Sequence, residues 1–194
     1  MAPIPMTDEE CRLATEALSD QIDLYANLLV RKGAALRPGQ ELVLQAPVES
    51  ADFARRVVRA AYRAGAGHVT VIWADDQVTR LTYENCDLSF FEHTPSWQVE
   101  QLAEDGAAFL FLEGSDPSAL KDVDPAKPAA AARARNTECR SFRDGMDFGR
   151  NVWCIAGVPV QAWAREVFPD LSPAEALYRL WVLVLEVSRA DGDD

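Results

Sequence analysis

The sequence is short of basic residues, and this shortage excludes several classes of partner. Of its 194 residues, 19 are Lys or Arg and 31 are Asp or Glu, so the formal net charge is -12. No cluster of Lys and Arg interrupts this acidic background. Because such a chain repels phosphate groups, we expect neither a nucleic acid nor an anionic membrane surface as a partner.

Long hydrophobic runs are also missing. The first ten residues, MAPIPMTDEE, have neither the basic nor the apolar region of a secretory signal. The longest nearly apolar run, LWVLVLEV at 180–187, is too short to span a bilayer. The sequence therefore predicts a cytoplasmic protein.

The common catalytic and metal-binding motifs are absent too. The two histidines, His68 and His93, have no second ligand at a spacing such as H-x-x-x-H, so we interpret both as structural. There is no G-x-S-x-G motif. The four cysteines are far apart, without C-x-x-C spacing, and are expected to be reduced: Cys11, Cys86, Cys139 and Cys154. The sequence thus contains no self-sufficient catalytic set.

What is present is an alternation of short apolar segments with amphipathic ones. Strands are predicted at 41–46, 68–73, 107–112 and 151–156, with helices between them. Thr7 with Glu10 and Ser172 with Glu175 have capping-box spacing at helix starts. This order predicts an α/β fold, doubly wound, with a mainly parallel sheet flanked by helices.

Acidic residues occupy the loops that follow the first three strands. They are Glu49, Asp75, Asp76, Glu113 and Asp116. In an open α/β fold these loops meet at the carboxyl edge of the sheet, where they could hold a hard cation or a substrate ammonium group. Alternatively, Glu49, Asp76 and Asp116 cap helices or complement their dipoles. We favour the capping interpretation, because acidic residues begin helices routinely.

Other segments carry less specific expectations. Pro117 is predicted to occupy the first position of a helical turn, and a further helix is expected from about 125 to 142. The tryptophans lie on apolar stripes, and core packing is the expected role for most of them. They are Trp73, Trp97, Trp153, Trp163 and Trp181.

The predicted last helix, 172–188, is apolar on almost every side. Such a helix must be covered on more than one side, either by a partner chain or by more of the same chain, and we favour the second. Gly192 is interpreted as the stop of this helix, with Asp193 and Asp194 opening a linker.

Several long blocks resemble one protein family. In order they are LYANLLVRKGAALRPGQELVLQAPVES, VIWADDQVTRLTYENC, FLEGSDPSALKDVDPAK and VWCIAGVPVQAWAREVFPDLSPAEALYRLW. From about Asp23 to the last residue the chain resembles the N-terminal domain of the M29 metalloaminopeptidases, or thermophilic aminopeptidases. The resemblance divides the chain into a helical extension (1–22), the α/β domain (23–190) and the start of a linker to a missing catalytic domain (191–194).

The resemblance implies a cytoplasmic, homodimeric exopeptidase that removes N-terminal residues from peptides with two divalent metals, zinc or cobalt. In that family the metal ligands lie in the second half of the polypeptide. No position here matches them. We therefore assign no catalytic, cofactor-binding or metal-binding residue, and expect no metal to bind this chain.

Three hypotheses follow. The first is the N-terminal domain of a metal-dependent aminopeptidase, inactive alone because the metal-binding half is absent. The second is a non-catalytic dimerising or ligand-binding α/β module that uses its apolar last helix. The third is an enzyme that uses the acidic loop cluster with a bound divalent ion. We rank them in this order.

Overall fold

A four-stranded sheet forms the centre of the molecule. The computed structural model describes residues 6–94 and 97–190, without the side chains of 97–99. The strands are β1 (Glu41–Pro47), β2 (His68–Ala74), β3 (Ala108–Glu113) and β4 (Trp153–Gly157). Their spatial order is β2-β1-β3-β4, and every neighbouring pair is parallel. The predicted strands are confirmed within one or two residues at each end, and so is the α/β fold.

Helices connect the strands and cover both faces of the sheet. They are α1 (Asp8–Ala17), α2 (Ser19–Leu28), α3 (Ala51–Arg63), α4 (Asp76–Asn85), α5 (Trp97–Glu104), α6 (Ala126–Glu138), α7 (Arg140–Asp147), α8 (Gln161–Val167) and α9 (Pro173–Val187). Shorter helical turns occupy Leu29–Gly33, Val48–Ser50 and Leu88–Glu92. None of the helices in the described ranges combines the length and apolar character that crossing a bilayer requires.

The central strand β1 shows how the two layers form. Leu42 and Leu44 point to one face, where they join buried residues of α2, α3 and α9 in the larger core. Val43, between them, points to the other face and packs with Phe109 and Ala103. A strand buried on both faces is apolar at successive positions, and each such side chain contributes about 1.5–3 kcal/mol of transfer free energy.

The N-terminal helix is anchored to the last helix. The capping box of α1 is confirmed, because the Thr7 hydroxyl accepts from the Glu10 amide and the Glu10 carboxylate accepts from the Thr7 amide. The second predicted box is only half present. Ser172 accepts from the Glu175 amide, but the Glu175 carboxylate accepts instead from the Met6 amide at 3.2 Å. The predicted division between 1–22 and 23–190 falls within α2.

Two helix ends have a residue other than glycine in the left-handed conformation. The helical turn Leu29–Gly33 is followed by Ala35, with a φ of 41°. Gly33 is needed for space, since a Cβ would lie 2.7 Å from the Cys154 sulfur. The expected stop at Gly192 is wrong, because α9 ends at Val187 and Arg189 takes the left-handed position with a φ of 51°. Residues 191–194, including Asp193 and Asp194, lie outside the described residues.

The region between β3 and β4 also departs from expectation. Pro117 lies in a turn and begins no helix, so that prediction is wrong. The predicted helix at 125–142 is broken at Cys139, where α6 ends and α7 begins. Asn151, 3% exposed, donates to the carbonyls of Ala103 (3.0 Å) and Ala107 (2.9 Å), which joins the entry of β4 to the end of α5. A buried amide with both hydrogen bonds made fixes this junction.

Candidate functional site

The carboxyl edge of the sheet contains a cavity of about 350 Å³. Glu49, Asp76 and Asp116, from the loops after β1, β2 and β3, line it together. Its other wall comes from α8 and includes Gln161 and the exposed Arg165. The prediction that acidic loop residues meet at this edge is therefore confirmed for three of the five. Asp75 and Glu113 do not line the cavity.

The aspartates of the second loop, Asp75 and Asp76, accept hydrogen bonds from backbone amides. Asp75 is the N-cap of α4, and its Oδ1 accepts from the amides of Gln77 (2.9 Å) and Val78 (3.0 Å). The cap is thus Asp75 and not Asp76. Asp76 lies in the first turn of the helix, and its Oδ2 accepts from the Asp116 amide at 2.7 Å. Asp76 therefore complements the helix dipole, which is the second of the two roles predicted for it.

The remaining acidic residues differ in their surroundings. The Asp116 carboxylate accepts from the Ser118 amide at 2.8 Å, which closes a turn and not a helix. Glu49 lies in the short turn Val48–Ser50 and is exposed, as is Glu113. Both aspartates that line the cavity therefore already hold backbone donors. Across the described residues, no group of three or more His, Cys, Asp or Glu side chains is placed to hold a metal ion.

The two histidines lie far apart in the chain and do not share a site. His68 is exposed at the start of β2. His93 is on the surface, with its Nδ1 3.0 Å from Glu138 Oε1. The Thr94 amide donates to Glu138 Oε2, and this hydrogen bond, aided by that of His93, lowers the pKa of the Glu138 carboxyl group. The structural interpretation of His93 is supported, since the pair connects the segment before α5 to the end of α6.

Three of the four cysteines lie in environments that disfavour a nucleophilic thiolate. Cys11 and Cys139 are buried, and all four are free thiols. Burial raises the pKa of Cys11, Cys139 and Cys154 above the ordinary thiol value. A reactive cysteine needs the opposite shift, toward the thiolate.

A second cavity, of about 230 Å³, lies on the other face of the sheet and was not anticipated. Three phenylalanines line it, Phe109, Phe111 and Phe142, together with Gln45 of β1 and the exposed Arg135 at its edge. The one sequence signal for it is Gln45, a polar residue inside an otherwise apolar strand. Among the tryptophans, Trp181 is buried as predicted, whereas Trp73 and Trp153 are 47% and 45% exposed, contrary to the expected core role.

Comparisons with known proteins agree on one family. The sequence model of the thermophilic metalloprotease family (M29) matches residues 18–194. Aminopeptidase 2 of Geobacillus stearothermophilus is 37% identical over 177 residues, which are 90% of this chain and 43% of that protein. Aminopeptidase AmpS of Bacillus subtilis is 34% identical over 92% of this chain and 44% of its own length.

A solved structure gives the same result. Wild-type AmpT from Thermus thermophilus superposes with a TM-score of 0.80 and 32% sequence identity. The match covers 87% of this chain and 43% of that one. The chain thus spans less than half the length of the relatives that it matches.

Proposed function

Since the chain belongs to the thermophilic metalloprotease family M29, we propose that it is the N-terminal part of a metal-dependent aminopeptidase that removes N-terminal residues from peptides. The observation that carries this proposal is the continuous match to aminopeptidases along about nine-tenths of the chain, on the same fold. We also propose that the protein acts in the cytoplasm.

The family implies a metal cofactor, and the residues that the structure describes do not fit one. A site for zinc or cobalt needs three or four nitrogen, oxygen or sulfur ligands converging within about 2.3 Å of the ion. The described residues offer no such group, and the two aspartates of the acidic cavity already hold backbone amides. We therefore propose that the ligands for two divalent metals lie outside these 194 residues, and that the chain alone does not hydrolyse peptides.

A fusion protein tests the proposal. Residues 1–194 are joined to the second half of aminopeptidase T from Thermus thermophilus, and hydrolysis of leucine para-nitroanilide is measured with zinc or cobalt. We expect the fusion to release para-nitroaniline and the second half alone to release much less. A fusion without activity, although folded and metal-loaded, would count against an aminopeptidase role for this part.

A second candidate is the non-catalytic dimerising module. It is favoured by the outer face of α9, where Leu183 is 41% exposed and Val187 is 75% exposed. Two copies could bury these side chains against each other. Light scattering measures whether the purified chain is a dimer, and the Val187→Asp variant is measured for comparison. A dimer that the substitution dissociates supports the module, and a monomer at all concentrations removes it.

A further inference from the structure

The edge strand β4 leaves apolar side chains uncovered. Trp153 is 45% exposed and Ile155 is 57% exposed, and as alternate residues they share one face of the strand. The neighbouring residues on β3 are Phe109 and Phe111, and the first of these is covered by α7. Parallel sheets are almost always covered on both faces. The uncovered face of β4 is therefore a surface that other polypeptide is expected to bury.

The backbone of β4 is open at the same two residues. The Phe109 amide donates to the Val152 carbonyl at 2.9 Å, and the Val158 amide donates to the Glu113 carbonyl at 2.8 Å. Backbone groups in a parallel strand point alternately to the two sides, so the even-numbered residues of β4 bond to β3. The amides of Trp153 and Ile155 then point away from the sheet. The Cys154 thiol, 3.6 Å from the Ile155 carbonyl, is a weak contact at this edge.

The end of α9 lies beside this edge. The Tyr25 hydroxyl donates to the carbonyl of Gly157, the last residue of β4, at 3.0 Å. Ser188, the residue that follows α9, lies near the same hydroxyl. The end of the last helix and the end of the open strand thus lie close to one tyrosine. α9 itself packs on the face of the sheet opposite to Trp153 and Ile155, and its end comes near the free edge of β4.

The length of the relatives identifies what would cover it. More than half of each relative lies outside the part that this chain matches. The opposite edge strand, β2, also has open backbone groups and one exposed apolar side chain, Trp73 at 47%, whereas its Val69 is buried and Ile72 is half-buried. Of the two edges, β4 is the one with two exposed apolar side chains on one face and with the end of α9 nearby.

We propose that polypeptide following residue 194 pairs with the free edge of β4 and buries Trp153 and Ile155. This inference rests on the proposed function, because that polypeptide is part of the proposed catalytic half. The surface would then be the attachment between the two halves of the enzyme. A paired strand offers two gains here, since it satisfies the open backbone groups and removes apolar area from water.

Hydrogen exchange of the backbone amides tests the proposal. The rates at Trp153 and Ile155 are compared between the 194-residue chain and the fusion protein described above. We expect exchange at both amides to be at least about tenfold slower in the fusion. The amides of β2 serve as the matched control, and their rates should not change. Equal rates at β4 in the two proteins would overturn the proposal.

A second measurement tests whether a second copy of the chain, rather than its own continuation, covers the exposed face of β4. Light scattering and hydrogen exchange are repeated on the 194-residue chain with Trp153→Lys and Ile155→Lys together, using Trp73→Lys as the control. A dimer that protects β4 and dissociates only in the double variant would assign the surface to a second copy and overturn the proposal.

Measuring the activity of the fusion protein separates this inference from the proposed function. A protected but inactive fusion contradicts the function alone, and an active, unprotected fusion contradicts the inference alone.

Discussion

The carboxylate of Asp75 offers the sharpest test of whether the acidic loops are structural. Its Oδ1 accepts from two amides in the first turn of α4, at 2.9 and 3.0 Å. Replacing an N-cap aspartate by alanine costs about 0.5–2 kcal/mol. Because α4 has no buried residue among those described, water replaces the lost acceptor readily. We expect Asp75→Ala to lower the free energy of unfolding by about 1 kcal/mol, or Tm by roughly 2–4 °C.

Urea unfolding followed by circular dichroism measures this change. Asp75→Asn should retain most of the stability, because asparagine caps helices as well as aspartate does. Glu113→Ala is the matched control. That side chain is the last residue of β3, is exposed and caps no helix, so its effect should stay within about 0.5 kcal/mol.

The opposite result would assign a different role to the loops. If Asp75→Ala left stability unchanged in buffer, the two hydrogen bonds would not be contributing as caps. If zinc or manganese raised the Tm of the unsubstituted chain but not that of the variant, the aspartate would be a cation ligand. Either outcome refutes the capping account.

Three further substitutions have defined outcomes. Asn151→Leu removes a donor from the Ala107 carbonyl and one of two donors from the Ala103 carbonyl, which also accepts from the Gly106 amide. It should cost about 1–3 kcal/mol in urea unfolding, and an unchanged stability would contradict the junction described for this residue. Gly114→Ala places a Cβ against the Val158 carbonyl oxygen, so the loops must shift, and the free energy of unfolding should fall by about 1–3 kcal/mol in the same assay. An unchanged unfolding midpoint would show that the backbones at Gly114 and Val158 do not approach closely. Glu138 has a folded pKa below its ordinary 4.5, so its stabilisation is present above that value and is lost as pH falls through the lower folded value. Glu138→Gln should therefore reduce the loss of stability between neutral pH and about pH 3, and an identical acid profile would refute the contact with the Thr94 amide.

Local chemistry predicted much of the fold. A strand that is buried on both faces has apolar residues at consecutive positions, and this pattern can be recognised in the sequence, as at Leu42, Val43 and Leu44. The capping box at Thr7 was found because its two partners are three residues apart and depend on no distant contact. The acidic edge followed from the parallel order of the strands, which brings Glu49, Asp76 and Asp116 to one cavity.

Two of the wrong predictions involve distant partners. Glu175 has the correct spacing for a capping box, but the Met6 amide, 169 residues away in sequence, uses its carboxylate instead. Trp153 is apolar and was assigned to the core, yet it lies on the exposed face of an edge strand. In each case the spacing of residues along the chain does not show which distant residues will be in contact.

The purified 194-residue chain itself tests the central claim most directly. Leucine para-nitroanilide is incubated with it at saturating zinc or cobalt, and metal binding is followed in parallel by calorimetry. We expect neither stoichiometric tight binding of metal nor release of para-nitroaniline above the rate with metal alone. Metal-dependent turnover by this chain would contradict it, because residues 1–194 would then contain the catalytic site.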